Sequence, residues 1–208
     1  MVVQTLLLAL GANRAGAWGP PAKTLERARR ELSGAGLRIR ASSHLYHTVP
    51  LGPGRQPSYL NAVLLVEAHV PPAALLRLIK RLECLAGRRL GARWGPRCLD
   101  IDILDFAGRR LGGPPRLGGP RRRGGPGRLG AQLAPRRLVL PHPEMHRRAF
   151  VLVPLLEVDP HWQHPTLSAS GRALLEGLPA TGRRGVRRSL AFEALACEKR
   201  QHERAPRR

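Results

Sequence analysis

Apolar and polar positions alternate along this chain with two periods that divide it into strands and helices. Val2–Leu10 is almost continuously apolar and Gly11-Ala12-Asn13 closes it with turn residues, the pattern of a buried strand. Pro20-Pro21 then opens a helix in which Leu25, Ala28 and Leu32 share one face, and Gly34 and Gly36 stop it. From Leu37 to Leu45 the period falls to two, with Leu37, Ile39 and Ala41 on one side of a half-buried strand. Two prolines and two glycines between residues 50 and 54 make Tyr46–Asn61 a long loop. Asn61–Ala68 is apolar enough for a third strand. Pro71-Pro72 starts a second helix with Leu75, Ile79, Leu82 and Ala86 as its core stripe and Gly87 as its stop. A further strand follows from Leu99, and Val151–Leu178 reads as closing helices.

The order strand, helix, strand, strand, helix, strand resembles an α+β fold, a ferredoxin-like α/β sandwich with extra elements on the C-terminal side. Alternation along Leu99, Ile101 and Ile103 would carry Asp105 into the core, where a bare carboxylate is costly. The strand is therefore expected to end near Leu104, or Asp105 to pair with an arginine. Composition changes sharply after it. Residues 107–137 hold nine Gly, five Pro and nine Arg with no acid, too little apolar surface to offset ordering entropy, and read as a disordered or poorly packed loop, which the family resemblance drawn below implies is an insertion. Residues 181–208 hold nine Lys and Arg against three Glu. These two segments carry most of the net charge of +22, and the remaining body is only mildly basic. The domain expected is residues 1–178, interrupted by the insertion and followed by a basic tail over 179–208. An Arg-rich nucleic-acid contact is the competing reading of the insertion and tail, weakened in the insertion because it lacks aromatics for base stacking.

Three cysteines lie far apart with no paired spacing, which fits a reduced, cytoplasmic protein. The apolar opening has no positive charge before it, against a signal peptide, and no stretch approaches the length of a membrane span. There is no GxxxxGK[ST], so a P-loop kinase is unsupported. The four histidines His142, His146, His161 and His164 match no common zinc spacing.

Candidate chemistry concentrates in Arg93-Trp94-Gly95-Pro96-Arg97-Cys98-Leu99-Asp100-Ile101-Asp102-Ile103-Leu104. In a strand, Asp100 and Asp102 project from one face, about 6.5–7 Å apart along the backbone. Two such hard oxygen donors suit Mg²⁺, which takes one or two carboxylates and completes its shell with water and phosphate oxygens. Arg93 and Arg97 supply the positive fork that phosphates need.

This motif resembles the signature of the 6-hydroxymethyl-7,8-dihydropterin pyrophosphokinase family, which moves a pyrophosphoryl group from ATP to a pterin alcohol in folate biosynthesis. Other stretches resemble the family in the same order: Tyr46-His47-Thr48-Val49-Pro50-Leu51-Gly52 followed by Gln56 and Tyr59-Leu60-Asn61, and Leu138 to Pro141-His142 leading to Arg148-Ala149-Phe150 and Pro154-Leu155. Ala12 departs from the family's Gly-Ser-Asn by one hydroxyl. The resemblance implies that Asp100 and Asp102 hold two Mg²⁺ and that Arg88, Arg93 and Arg97 join them in catalysis. It implies that Glu83, Arg88, Arg93, Trp94, Arg97, Ile101, His142 and Arg148 border ATP. It also implies that Thr48, Pro50, Leu51, Tyr59, Asn61, Trp94 and Phe150 hold the pterin, with Tyr59 and Phe150 on opposite ring faces. The implied partners are these small molecules, and no membrane.

Overall fold

The structure, a computed structural model, describes residues 2–50, 56–88, 95–112 and 138–192. Leu51, Arg93 and Trp94 lie outside that range, as do most of the insertion and the chain beyond Phe192.

The elements are β1 (Gln4–Ala12), α1 (Pro21–Gly34), β2 (Arg38–Ser42), β3 (Tyr46–Thr48), β4 (Tyr59–Ala68), α2 (Pro72–Leu85), β5 (Asp100–Phe106), α3 (Ala149–Val158), α4 (Gly171–Glu176), α5 (Ala180–Arg184) and β6 (Val186–Arg188). A short 3₁₀ turn, Met145–Arg147, leads into α3. The sheet runs β5-β1-β4-β3-β6, with β2 also on β4, and every pairing is antiparallel. With β1 and β4 central and two helices crossing between strands, this is the ferredoxin-like α+β arrangement.

Both expected helices form. Pro21 and Pro72 stand at their first positions, where a missing N–H costs nothing. Gly87, just past α2, has φ 93°, a conformation that favours glycine. Leu25, Ala28 and Leu32 of α1 and Leu75, Ile79 and Leu82 of α2 bury against Leu6, Leu8, Leu10, Leu64, Val66, Ile101 and Ile103 to make the larger core. On the other face of the sheet a smaller core joins Leu7, Val63 and Leu104 to Val151, Leu152 and Leu155 of α3, with Met145 and Trp162.

Three expectations change. The strand expected over Leu37–Leu45 is split, because the ten-residue β4 has room for β2 against Leu64–Glu67 and for β3 against Tyr59–Asn61. Ser43 joins the two: its N–H donates to the Val63 carbonyl at 2.9 Å and its Oγ accepts from the Val63 N–H at 3.0 Å, so the gap leaves no orphaned pair there. β3 thus occupies the start of the stretch expected to be loop.

The strand carrying the two aspartates does not end at Leu104, nor does Asp105 pair with an arginine among the described residues. β5 pairs Ile103 with Leu8 and Asp105 with Leu7, so Leu104 is an extra residue, a bulge that reverses the alternation. Leu104 joins the smaller core and Asp105 faces the same side. Its carboxylate accepts from the Trp162 indole N–H and the Gly108 N–H, both at 2.9 Å, which satisfies it.

The basic segment set apart from residue 179 onward is, as far as Phe192, built into the fold. α5 and β6 form within it, and Phe192 is fully buried in the larger core. The insertion is closed at its base: Leu111 and Leu140 exchange both backbone hydrogen bonds, at 3.1 and 2.9 Å.

Candidate active site

The site is a row across three strands. On the α3 side, Asn61 of β4, Gly11 of β1 and Asp100 of β5 are register partners, and the next row on that side is Val63, Ala9 and Asp102. Gly11 and Ala9 leave a hollow between the polar side chains, and a Cβ at Gly11 would lie 2.8 Å from Asn61 Oδ1. The hollow opens into a cavity of about 270 Å³ lined by Thr48, Val49, Tyr59, Asn61, Arg97, Asp100, Asp102, His142, Arg148 and Phe150, with Ala9, Leu10, Gly11, Ala62 and Val151. Asp100 and Asp102 thus share a face, as their spacing predicts.

At one end the charges are tightly arranged. Arg88 Nη1 and Arg97 Nη1 both donate to Asp100 Oδ1, at 2.7 and 2.6 Å. Arg88 Nη1 also lies 2.6 Å from Glu83 Oε1, which accepts the Ile101 N–H at 3.0 Å, while Lys80 Nζ donates to Glu83 Oε2 at 2.9 Å. Burial opposes ionisation of Asp100, but the two guanidiniums outweigh it and hold its carboxyl below the usual range. Asp102 moves the other way: burial raises it and the neighbouring Asp100 charge adds to that. Burial likewise raises Glu83 despite Lys80 and Arg88. Burial lowers His142, whose Nδ1 accepts from the Glu144 N–H at 3.2 Å, leaving Nε2–H toward Asp102 Oδ2 at 3.9 Å.

The other end is aromatic, with the Arg148 guanidinium 5.8 Å from the Phe150 ring. Tyr59 and Phe150 are both half-buried in the wall. Asn61 Nδ2 donates to Thr48 Oγ1 at 2.6 Å, which fixes the amide and turns its Oδ1 over Gly11.

Of the residues expected from the sequence, Thr48, Tyr59, Asn61, Arg97, Asp100, Asp102, His142, Arg148 and Phe150 meet at this cavity. Arg88 reaches it through Asp100, and Glu83 stands behind Arg88. The structure does not bring the Ile101 side chain there: it is 2% exposed and lies in the core on the opposite face. Pro50 does not line the cavity. Ala12 is fully buried in the larger core, where a hydroxyl would have no use.

Sequence reading missed two residues. Asn13 straps the site together: its Oδ1 accepts the Arg97 N–H at 2.8 Å, its N–H donates to the Arg97 carbonyl at 3.0 Å, and its Nδ2 donates to the Pro57 carbonyl at 3.2 Å. Lys80 is the second, one turn before Glu83 on α2. Its three-residue spacing from Glu83 was the signal available.

An open α+β sheet with paired carboxylates and clustered arginines facing an aromatic recess defines a class of phosphate-handling α+β proteins. Residues 7–160 match the family described as 7,8-dihydro-6-hydroxymethylpterin-pyrophosphokinase (HPPK), and the chain belongs to that family. It is 34% identical over 153 residues to the 2-amino-4-hydroxy-6-hydroxymethyldihydropteridine pyrophosphokinase of Methylorubrum extorquens, covering 74% of this chain and 80% of that one. With the enzyme of the same name from Pseudomonas aeruginosa it shares 36% over 151 residues, 73% and 77% of the two chains. In fold it is similar to the crystal structure of wild-type HPPK-DHPS from Plasmodium falciparum, with a TM-score of 0.60 at 17% identity. That match covers 84% of this chain but only 44% of the solved one.

Proposed function

We propose that this protein transfers pyrophosphate from ATP to 6-hydroxymethyl-7,8-dihydropterin, giving the pterin diphosphate and AMP, a step of folate biosynthesis. One observation carries the reading: a single cavity joins an aromatic, amide-bearing end to a cluster of two carboxylates and several cations, with only Gly11 between them. A flat heterocycle suits the first end and a triphosphate the second. The pterin would lie between Tyr59 and Phe150 with its edge read by Asn61, and Arg88, Arg97, His142 and Arg148 would meet the phosphates. Arg93, Trp94 and Leu51 keep the roles that the family resemblance implies.

In this reading the pterin hydroxymethyl oxygen attacks the β-phosphorus in line and AMP departs. Positioning and electrostatic stabilisation carry such a transfer, so no side chain is assigned as a dedicated base. Among the described residues no cluster of three His, Cys, Asp or Glu forms a metal cage. Asp100 and Asp102 still fit Mg²⁺: they are hard oxygen donors at an open cavity, and burial together with the Asp100 charge raises Asp102 in a way that a cation relieves. They would hold two ions, and bound Mg²⁺ would neutralise the triphosphate charge. The catalytic domain is taken to extend to Phe192, and the protein to act in the cytoplasm. No helix among the described residues is long and apolar enough to cross a membrane.

The test is AMP formation from Mg-ATP with and without 6-hydroxymethyl-7,8-dihydropterin, with the Asp100→Ala/Asp102→Ala protein as control. Pterin-dependent AMP that disappears in the double variant is expected. A folded protein that makes none would refute the proposal.

A further inference from the structure

The match to the family stops at residue 160, yet the chain beyond it returns to the cavity's aromatic end. β6 is the outermost strand, pairing Val186 with Thr48, Arg187 with His47 and Arg188 with Tyr46. The pairing continues past β6, where the Ser189 N–H donates to the Leu45 carbonyl at 2.7 Å and the Leu45 N–H to the Leu190 carbonyl at 2.9 Å. Phe192, with no exposed surface, anchors the segment in the larger core, and the Arg29 guanidinium lies 5.7 Å from its ring. Without β6, the three-residue β3 would be a strand held on one side only, by β4.

A polar knot reinforces the seam. Glu157, at the end of α3, accepts from the Tyr46 hydroxyl at 2.7 Å, from the His44 N–H at 3.1 Å and from the His44 ring. Arg188 Nη2 donates to His44 Nε2 at 2.8 Å, the ring nitrogen left to accept, and lies 3.9 Å from Glu157 Oε1. Burial opposes ionisation of Glu157, but its hydrogen bonds hold the carboxyl below the usual range, and burial and Glu157 push the Tyr46 phenol up to about 12. Three elements, α3, β3 and β6, are thereby tied at one point.

We propose that Ala180–Phe192 braces the recess side of the cavity and that Arg188 is a positioning residue, acting through His44, Glu157 and Tyr46 on Thr48, Val49 and Asn61. Tyr46 is the register partner of Asn61, and Thr48 holds the Asn61 amide. Val49 faces Gly185 at the turn into β6, where a Cβ would sit 3.5 Å from Val49 Cγ2. The charged end has other supports, Asn13 and Glu83, and its two aspartates stand on β5, on the far side of β1. Loosening the brace therefore disturbs one end of the cavity and spares the other.

The inference rests on the pyrophosphokinase reading for the identity of the ligand at that end. In the full chain, Arg188→Ala and Glu157→Gln are expected to raise KM for the pterin alcohol by roughly five- to tenfold, with kcat and KM for ATP within about twofold. Arg188→Lys recovers part of the loss. Tyr46→Phe, which removes one donor and little volume, is expected to act in the same direction if the larger changes compromise folding. An unchanged pterin KM, or a parallel rise in both KM values, overturns the proposal. Amide hydrogen exchange over residues 45–50 reads the brace without substrate. Faster exchange confined there in Arg188→Ala supports it, and unchanged exchange refutes it. A wild-type chain that makes no pterin-dependent AMP refutes the functional reading instead and leaves the brace to be judged by exchange.

Discussion

β1, β4 and β5 present two faces that obey different rules. Toward α1 and α2 they offer Leu6, Leu8, Leu10, Leu64, Ile101 and Ile103, all nearly or fully buried among other apolar side chains. Toward α3 the same strands offer Gly11, Ala9, Asn61, Asp100 and Asp102. The first face is held by burial, which needs only apolar volume in the right places. The second is held by the smaller core at one end and, where the chemistry lies, by pairing: Asp100 with two arginines, Asn61 with Thr48 and Asp105 with Trp162. The comparison teaches that the face carrying the chemistry tolerates its polar groups because each has a partner, with Asp102 the one held least comfortably.

Asp102→Asn tests that contrast most severely. Pterin-dependent AMP formation is expected to fall by at least about 1000-fold, the scale of losing several kcal/mol of charge stabilisation. The melting temperature at pH 7 is expected to rise. A carboxyl whose folded pKa is raised loses stability as pH climbs from its unfolded value through its folded one, so at neutral pH the raised Asp102 is a cost that asparagine removes. The difference should vanish below the ordinary carboxylate range, and a variant less stable than wild type at pH 7 would contradict the account. Asp100 and Glu157, both lowered, act oppositely: their contribution is present above the ordinary carboxylate pKa and lost as pH falls through their depressed values.

Leu8→Ala, on the closed face, should remove about 2–5 kcal/mol of stability by urea denaturation and leave turnover per folded molecule unchanged. Trp162→Phe takes one of two donors from buried Asp105 and should cost about 1–3 kcal/mol in the same assay. A cost near zero would mean the indole bond does not hold the bulge. Gly11→Ala is the mildest change to the chain, yet its Cβ would push on Asn61 Oδ1. The expected result is a pterin KM roughly tenfold higher with stability altered by less than about 1 kcal/mol.

The closed face was readable from the sequence because apolar spacing is local: Leu25, Ala28 and Leu32, or Leu75, Ile79 and Leu82, announce their stripe within one helix. Asp100 and Asp102 were readable for the same reason. Asp105 was not, since a bulge is a property of two strands and only the pairing of Ile103 with Leu8 and Asp105 with Leu7 reveals it. Asn13 looked like turn chemistry, and its hydrogen bonds to Arg97 and Pro57 span more than forty residues of chain. Phe192 sits in a stretch whose charge advertises solvent, and nothing local marks it as a core residue.

The bridge between Leu111 and Leu140 has a practical consequence. It holds Leu111 and Leu140 side by side, so the catalytic body presents a fixed pair of anchor points there. That position is a ready-made port for grafting a reporter or an affinity handle onto the protein.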